Sequence, residues 1–235
     1  MTQVDEWTPL VLEKLTLTLG AEDAPKLIAL LKETGAILSG GFVLNSIAAY
    51  YVAGSGPAPD LDIYVPLANM PRFLEKLVGD TLKFKAFDRF DATIYCRSFL
   101  RKNGIRRVHT FTTTNDKSVD VMAVRTRKTV QDVCSNFDLT FCQVWFDGTN
   151  VFATHPDHIR TKKGYLQGEY IDTFVQGNTF LKDRIRKYQR RGFTIEYDPS
   201  TTSVKLPVIA DVLQLFHKCS KEEAREALLP IWFQR

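Results

Sequence analysis

The sequence predicts an α/β (α+β) fold, a mixed β-sheet flanked by helices and continued by a mainly helical C-terminal part. Three observations carry that reading. Helical leucine spacing and strand-like alternation follow each other through the first third of the chain, so helices and strands are interleaved. From Phe84 to Thr154 short apolar-alternating segments are punctuated by turn dipeptides. Beyond that the pattern returns mainly to helical spacing, which places helices after the sheet rather than within it.

Size and composition bound the answer. A chain of 235 residues buries a substantial core in one domain, or in one domain with a helical appendage. The expected division is 1–154 for the sheet-bearing domain and 155–235 for the C-terminal region. With 44% hydrophobic and 25% charged residues the chain is an ordinary globular one rather than a disordered segment. No apolar run approaches the roughly 20 residues that span a bilayer, so no membrane partner is expected. Asp5 and Glu6 occupy the place of a basic signal-peptide region, and a cytoplasmic, intracellular location is the expectation. Cys96, Cys134, Cys142 and Cys219 form no CxxC pair and have no histidine at zinc-finger spacing, so they read as reduced, mostly buried thiols. A net charge of +4 permits an anionic partner without demanding one.

The elements follow in order. Asp23 to Thr34 carries Leu27, Ile28, Leu30 and Leu31 at helical spacing and stops at Gly35, a helix with its glycine cap. Ala36 to Leu38 is a short strand, Ser39-Gly40-Gly41 a tight turn, and Phe42 to Ala53 a helix closed by Gly54. The loop Gly56-Pro57-Ala58-Pro59 delivers Asp60 to Val65, where Leu61, Ile63 and Val65 alternate with Asp60, Asp62 and Tyr64. Pro71 to Val78 is a helix with proline in its first turn and Phe73, Leu74, Leu77 and Val78 inward. Phe84 to Phe87, Ala92 to Cys96, Arg106 to Thr112 and Val119 to Val124 are strand-like, with turns at Asn103-Gly104 and Asn115-Asp116. Thr129 to Cys134 is a short capped helix, and Asp147-Gly148 joins Phe141–Phe146 to Val151–Thr154 as a hairpin. Asn178 caps a basic helix ending at Gly192, Phe193 to Tyr197 is extended, and helical segments around Leu213, Leu215 and Phe216 and from Ala224 to Leu229 close the chain.

Candidate chemistry centres on acids. Asp60 and Asp62, two residues apart on one strand, point to the same face and repel each other unless a cation lies between them. Before them stands a strand, a Ser-Gly-Gly turn and a helix, which gathers backbone N–H groups and a helix N-terminus where a phosphate binds well. Glycine lets phosphate approach the backbone closely and tolerates positive φ. Asp120 sits inside an otherwise apolar strand, where an unpaired buried acid costs several kcal/mol, so it needs a cation, an arginine or water. The alternative to a metal is an ion pair with Arg106 or Arg107. Three acids with bridging phosphates suit two Mg²⁺ ions, which take all-oxygen ligands.

Ser39-Gly40-Gly41, eighteen intervening residues, Asp60-Leu61-Asp62-Ile63-Tyr64-Val65 and later Val119-Asp120-Val121 resemble the signature of the DNA polymerase β-like nucleotidyltransferases. The resemblance covers roughly residues 23 to 125 and is nearest to the minimal and tRNA nucleotidyltransferase branches. It implies the nucleotidyltransferase fold, two Mg²⁺ ions (Mn²⁺ as a substitute) and a nucleoside triphosphate substrate. By the same resemblance Asp60, Asp62 and Asp120 are the metal ligands, Asp120 is also the base, and Ser39 and Gly40 touch the phosphates. Gly41, Asn45 and Lys182 join these as candidate cofactor-binding residues. The chain departs from tRNA nucleotidyltransferases in having Val43-Leu44-Asn45 where those carry Val-Arg-Asp.

Other features carry weaker signals. The helix with Lys182, Arg184, Arg186, Lys187, Arg190 and Arg191 is amphipathic, its basic face either merely solvated or a contact for triphosphate or RNA. Arg101, Lys102, Arg106 and Arg107 form a second basic cluster. Asp138 is the rival for third acid, and His155-Pro156-Asp157-His158 reads as a helix start rather than a metal site. The function expected is Mg²⁺-dependent transfer of a nucleoside monophosphate from a triphosphate to a hydroxyl of RNA, a small molecule or a protein. The alternative is a catalytically inactive nucleotide- or RNA-binding or interaction module of the same fold.

Overall fold

The computed structural model describes residues 1–51, 60–86, 104–167, 170 and 179–197. Expectations for Gly54 to Pro59, Ala92 to Cys96, Arg101 to Asn103, Asn178, Cys219 and the segments after Tyr197 lie outside the described residues. The chain divides into two compact units, Met1–Phe137 with Cys142–Arg160, and Asp138–Phe141 with Thr161–Arg235.

The first unit is a mixed sheet flanked by helices. Its strands are β1 (Thr2–Gln3), β2 (Ile37–Ser39), β3 (Leu61–Pro66), β4 (Lys85–Ala86), β5 (Ile105–Thr112), β6 (Ser118–Val124), β7 (Val144–Phe146) and β8 (Val151–Ala153). Its helices are α1 (Thr8–Leu19), α2 (Asp23–Thr34), α3 (Gly40–Tyr51), α4 (Met70–Val78), α5 (Val130–Ser135) and α6 (Pro156–Arg160). Among the described residues the strands lie in the order β1-β8-β7-β2-β3-β6-β5-β4. β3 and β6 are parallel, and every other neighbouring pair in this sheet is antiparallel. A parallel pair requires a crossover, and α4 lies on the segment that supplies it.

Local chemistry explains most of these elements. Helix α2 stops where Gly35 turns left-handed at φ 63° and returns its N–H to Leu31. Gly148, at φ 93°, makes the β7–β8 turn, and a Cβ there would meet the Ile28 carbonyl at 3.0 Å. Two expectations change. Val78, expected inward, is exposed at 46%, because helix α4 spans two and a half turns and packs through Met70, Phe73 and Leu77. Residues Thr140–Cys142 form a 3₁₀ turn, so the strand expected from Phe141 begins only at Val144. Helix α1 has no counterpart in the sequence reading: its apolar residues run all round, and Leu17 stays 74% exposed, so no clean helical stripe marks it.

One face of the sheet has a compact core. Ile37, Tyr64, Ile105, Met122, Val124 and Trp145 pack with Val130, Val133 and Cys134 of α5. Alternate strand residues Leu38, Leu61, Ile63, Val65, Val119 and Val121 are buried on the other face. Helix α5 is short and depends on its start. The Thr129 hydroxyl accepts the Asp132 N–H at 3.0 Å, while the Asp132 carboxylate accepts the Thr129 N–H at 2.9 Å, a reciprocal capping box.

In the second unit β9 (Lys163–Leu166) pairs in parallel with β10 (Thr194–Tyr197), alongside α7 (Thr179–Arg190). Strand β9 was not expected from the sequence. Phe141 stacks on Phe193 at 4.3 Å and meets Tyr188 edge-on at 5.2 Å. Gly164 leaves room for Phe141, since a Cβ there would come within 2.6 Å of its ring. Among the described residues no helix is long and apolar enough to cross a membrane.

Replacing Thr129 with alanine removes one arm of the capping box and is expected to lower stability by about 1 kcal/mol. Urea unfolding followed by circular dichroism measures this, and an unchanged midpoint would show that α5 is held by its packing alone.

Candidate active site

Strand register brings the acids together. Antiparallel β2 places Ser39 opposite Asp62, parallel β6 places Asp120 opposite Asp62, and β5 places Thr110 opposite Asp120. With Trp145 opposite Ser39, one row across the sheet reads Trp145, Ser39, Asp62, Asp120, Thr110. Residues opposite each other across a sheet share a face, and neighbouring strands lie about 4.8 Å apart. Asp60 sits two residues ahead of Asp62 and is exposed.

This row divides the face. Toward the C-terminal ends of β3 and β6 lie Tyr64, Met122 and Val124, beneath α5. Toward their N-terminal ends the side chains are Asp60, Ser118 and, across on β5, Thr112. The apolar half is core and the polar half is the candidate site.

Because β2 runs antiparallel to β3, its last residue is delivered to the strand end that carries the acids. The turn there is built for contact. Gly40 opens α3 at φ 72°, and a Cβ at that position would collide with the Asp62 carboxylate, its Cγ only 3.1 Å away. Glycine is therefore required for both backbone conformation and space. The first N–H groups of α3 begin beside Asp62, where a helix N-terminus favours an anion.

Ser39 does something other than the sequence suggests. Its side chain is fully buried and its hydroxyl donates to the Val144 carbonyl at 2.6 Å. The Cys134 thiol is hydrogen-bonded to the same Ser39 side chain, and burial pushes that thiol far above its usual pKa, so it stays neutral. The Ser39 hydroxyl thus ties β2 to β7 instead of facing a phosphate. Cys134 and Cys142 are buried thiols in no disulfide, as the sequence leads one to expect.

Asp120 is half-buried. Burial raises its pKa above the ordinary aspartate value; a hydrogen bond from the Thr110 hydroxyl to Oδ1 at 2.7 Å opposes the rise, and the charge of Asp60 adds to it. Arg106 and Arg107, the alternative partners, are exposed beside a register shift in β5 and pair with neither oxygen among the described residues. Thr110 went unrecognised in the sequence because nothing in a strand's own pattern states its register.

The remaining candidates divide. Asn45 is 5% exposed, and its Nδ2 has no hydrogen-bond partner among the described residues, a costly arrangement for a buried donor. Lys182 belongs to the second unit, on α7. Asp138, the rival acid, is buried in an ion pair with Arg184 at 3.1 Å and accepts the Leu139 N–H at 2.9 Å, so it is engaged within the second unit. His155 and His158 stack nearly parallel at 4.7 Å instead of converging.

The donor chemistry of Asp60, Asp62 and Asp120 fits a hard divalent cation: all ligands are carboxylate oxygens, and Asp120 lacks a cationic partner among the described residues. As placed, however, no three His, Cys, Asp or Glu side chains among the described residues stand close enough together to hold an ion.

A family model described as Gabija anti-defense 2 family protein matches residues 6–163. No curated protein matches the chain significantly. Among solved structures, a CCA-adding enzyme in complex with CTP shares 14% identity over 91% of this chain and 47% of its own, with a TM-score of 0.55. The Thermotoga maritima CCA-adding enzyme complexed with tRNA shares 15% over 97% of this chain and 54% of its own, with a TM-score of 0.51. An apo CCA-adding enzyme shares 15% over 86% and 45%, also with a TM-score of 0.51. The chain thus spans about half the length of these enzymes, and the likeness is one of nucleotidyltransferase fold.

The raised Asp120 pKa has a signed consequence for stability. The native state holds this proton more tightly than the unfolded chain, so its contribution is fully present below the ordinary aspartate pKa of 3.8 and is lost as pH rises through the native value. Asp120→Asn is therefore expected to be more stable than wild type near pH 7 in chelator, with the difference shrinking toward pH 3. Urea midpoints across that range decide it; a less stable variant at pH 7 would mean that the charge is compensated.

Proposed function

The chain belongs to the Gabija anti-defense 2 family, and we propose that it works as a metal-dependent nucleotidyltransferase, moving a nucleoside monophosphate from a triphosphate to an acceptor hydroxyl. The observation that carries this is the in-register pair Asp62 and Asp120, with Gly40 pressed against the Asp62 carboxylate. Two half-buried acids opposed beside a glycine turn are costly for a purely structural sheet end, and they suit phosphoryl chemistry.

The chemistry is assigned to residues 1–154. Asp60, Asp62 and Asp120 would hold Mg²⁺, or Mn²⁺ in its place. Bound there, divalent ions polarise the phosphate under attack and stabilise the departing pyrophosphate. The backbone N–H groups of Gly40 and Gly41 receive phosphate oxygens at the start of α3, and the contribution of Ser39 comes through its backbone because its hydroxyl is engaged with Val144. The unpartnered Nδ2 of Asn45 is a further donor toward the nucleotide. Asp120 would also assist removal of the acceptor proton, with its Oδ1 held by the Thr110 hydroxyl.

Among acceptors, RNA is the one that the basic helix favours. On α7, Leu181, Ile185 and Tyr188 are buried, while Arg186, Lys187 and Arg190 are exposed. Arg184, Lys187 and Arg191 lie 5.6 to 5.9 Å from the Tyr188 ring centre. Lys182 lies on the same helix. Such a face suits a phosphate backbone and predicts strong salt dependence. On this reading the counter-defence role in the family's name is exerted by nucleotidyl transfer to RNA, a small molecule or a protein hydroxyl.

A second reading has one observation in its favour. The three carboxylates are not drawn into a tight group, which suits a module that binds nucleotide or RNA without turnover. Pyrophosphate release separates the two. With Mg²⁺ and each of the four nucleoside triphosphates, with and without mixed RNA, wild type is expected to release pyrophosphate and Asp60→Ala/Asp62→Ala to fall to background. Absence of release from wild type, with a triphosphate still raising the melting temperature, selects the binding module.

A further inference from the structure

We propose that Thr110 is the positioning residue for Asp120, holding Oδ1 so that Oδ2 alone is presented to a divalent cation. This rests on reading Asp120 as a metal ligand and goes beyond it in assigning a residue outside the acidic set.

The geometry is specific. Thr110 and Asp120 are directly opposed on β5 and β6, and the hydroxyl donates to Oδ1 at 2.7 Å. The bond joins two ladder positions with registered pairs on both sides of them, so neither backbone is free to drift. Threonine is β-branched and stiff at χ1, so the donor direction is set by the strand. Ser118 and Thr112 form the next opposed pair on the same face, yet Thr110 is the one bonded to the acid.

The chemical consequence concerns denticity. A carboxylate with both oxygens free can chelate a large cation in bidentate fashion, as Ca²⁺ often accepts. With Oδ1 held by Thr110, Oδ2 is the oxygen with both lone pairs open, which favours the single-oxygen mode that suits small octahedral Mg²⁺ or Mn²⁺. Partners that orient a metal ligand commonly matter almost as much as the ligand itself.

Mn²⁺ titration followed by electron paramagnetic resonance, with Mg²⁺ as competitor, reads this without any turnover. Thr110→Val keeps the shape and removes the donor, and is expected to weaken Mn²⁺ binding about 10-fold or more, while Thr110→Ser stays within about twofold of wild type. Urea unfolding confirms that each variant folds. Wild-type affinity in Thr110→Val overturns the proposal, as does a loss in Thr110→Ser equal to that in Thr110→Val, because then the hydroxyl is not the agent. Asp120→Asn distinguishes the levels of failure. If it loses Mn²⁺ while Thr110→Val does not, only the positioning role falls; if Asp120→Asn binds as wild type, the metal-ligand reading falls with it.

Discussion

Asp62 and Asp120 stand directly opposite each other on adjacent parallel strands, and the arrangement of the first unit can be understood from that pairing. Like charges directly opposite are unfavourable, and Asp120 carries a desolvation cost to which the charge of Asp60 adds. The pairing nevertheless sits in the middle of the sheet, with β2 and β5 on either side. Its neighbours accommodate it: Gly40 leaves space for one carboxylate, and the Thr110 hydroxyl binds the other.

The sheet face on which these acids lie is only half covered. Helix α5 packs over Tyr64, Met122 and Val124 but is six residues long, so its reach ends near the acidic row. At that boundary Ser39 and Cys134 form a neutral, buried link: the hydroxyl spans to Val144 and the thiol meets it from the helix. A charged or bulky group at either place would disturb the core and the acidic row together. The apolar half of this face is core, and the other half carries Asp60, Asp62 and Asp120.

Much of the fold could be read in the chain because the signals are local. Helix α2 with its Gly35 cap, the Thr129 cap and the Asp147-Gly148 turn depend on residues within a few positions of one another. Helix α1 could not be read, since its leucines surround the helix instead of lining one face. Strand β9 could not, because its partner β10 lies far along the chain and parallel pairing has no local signature. For the site, the acids and glycines were visible as residue types at a spacing. The commitment of the Ser39 hydroxyl to Val144, more than a hundred residues away, was not.

The sequence by itself determined which chemistry is on hand: three aspartates in apolar strand contexts, a glycine turn ahead of a helix, and a basic amphipathic helix. Those are matters of side-chain type and short-range periodicity. Tertiary structure alone decided which atoms are available to do anything. It committed the Ser39 hydroxyl to Val144, paired Asp138 with Arg184, and set Thr110 rather than Arg106 or Arg107 against Asp120. The physical reason is register: a slip of one residue between β5 and β6 would turn Thr110 to the other face, and that register is fixed by long-range pairing and burial, not by any segment's own pattern.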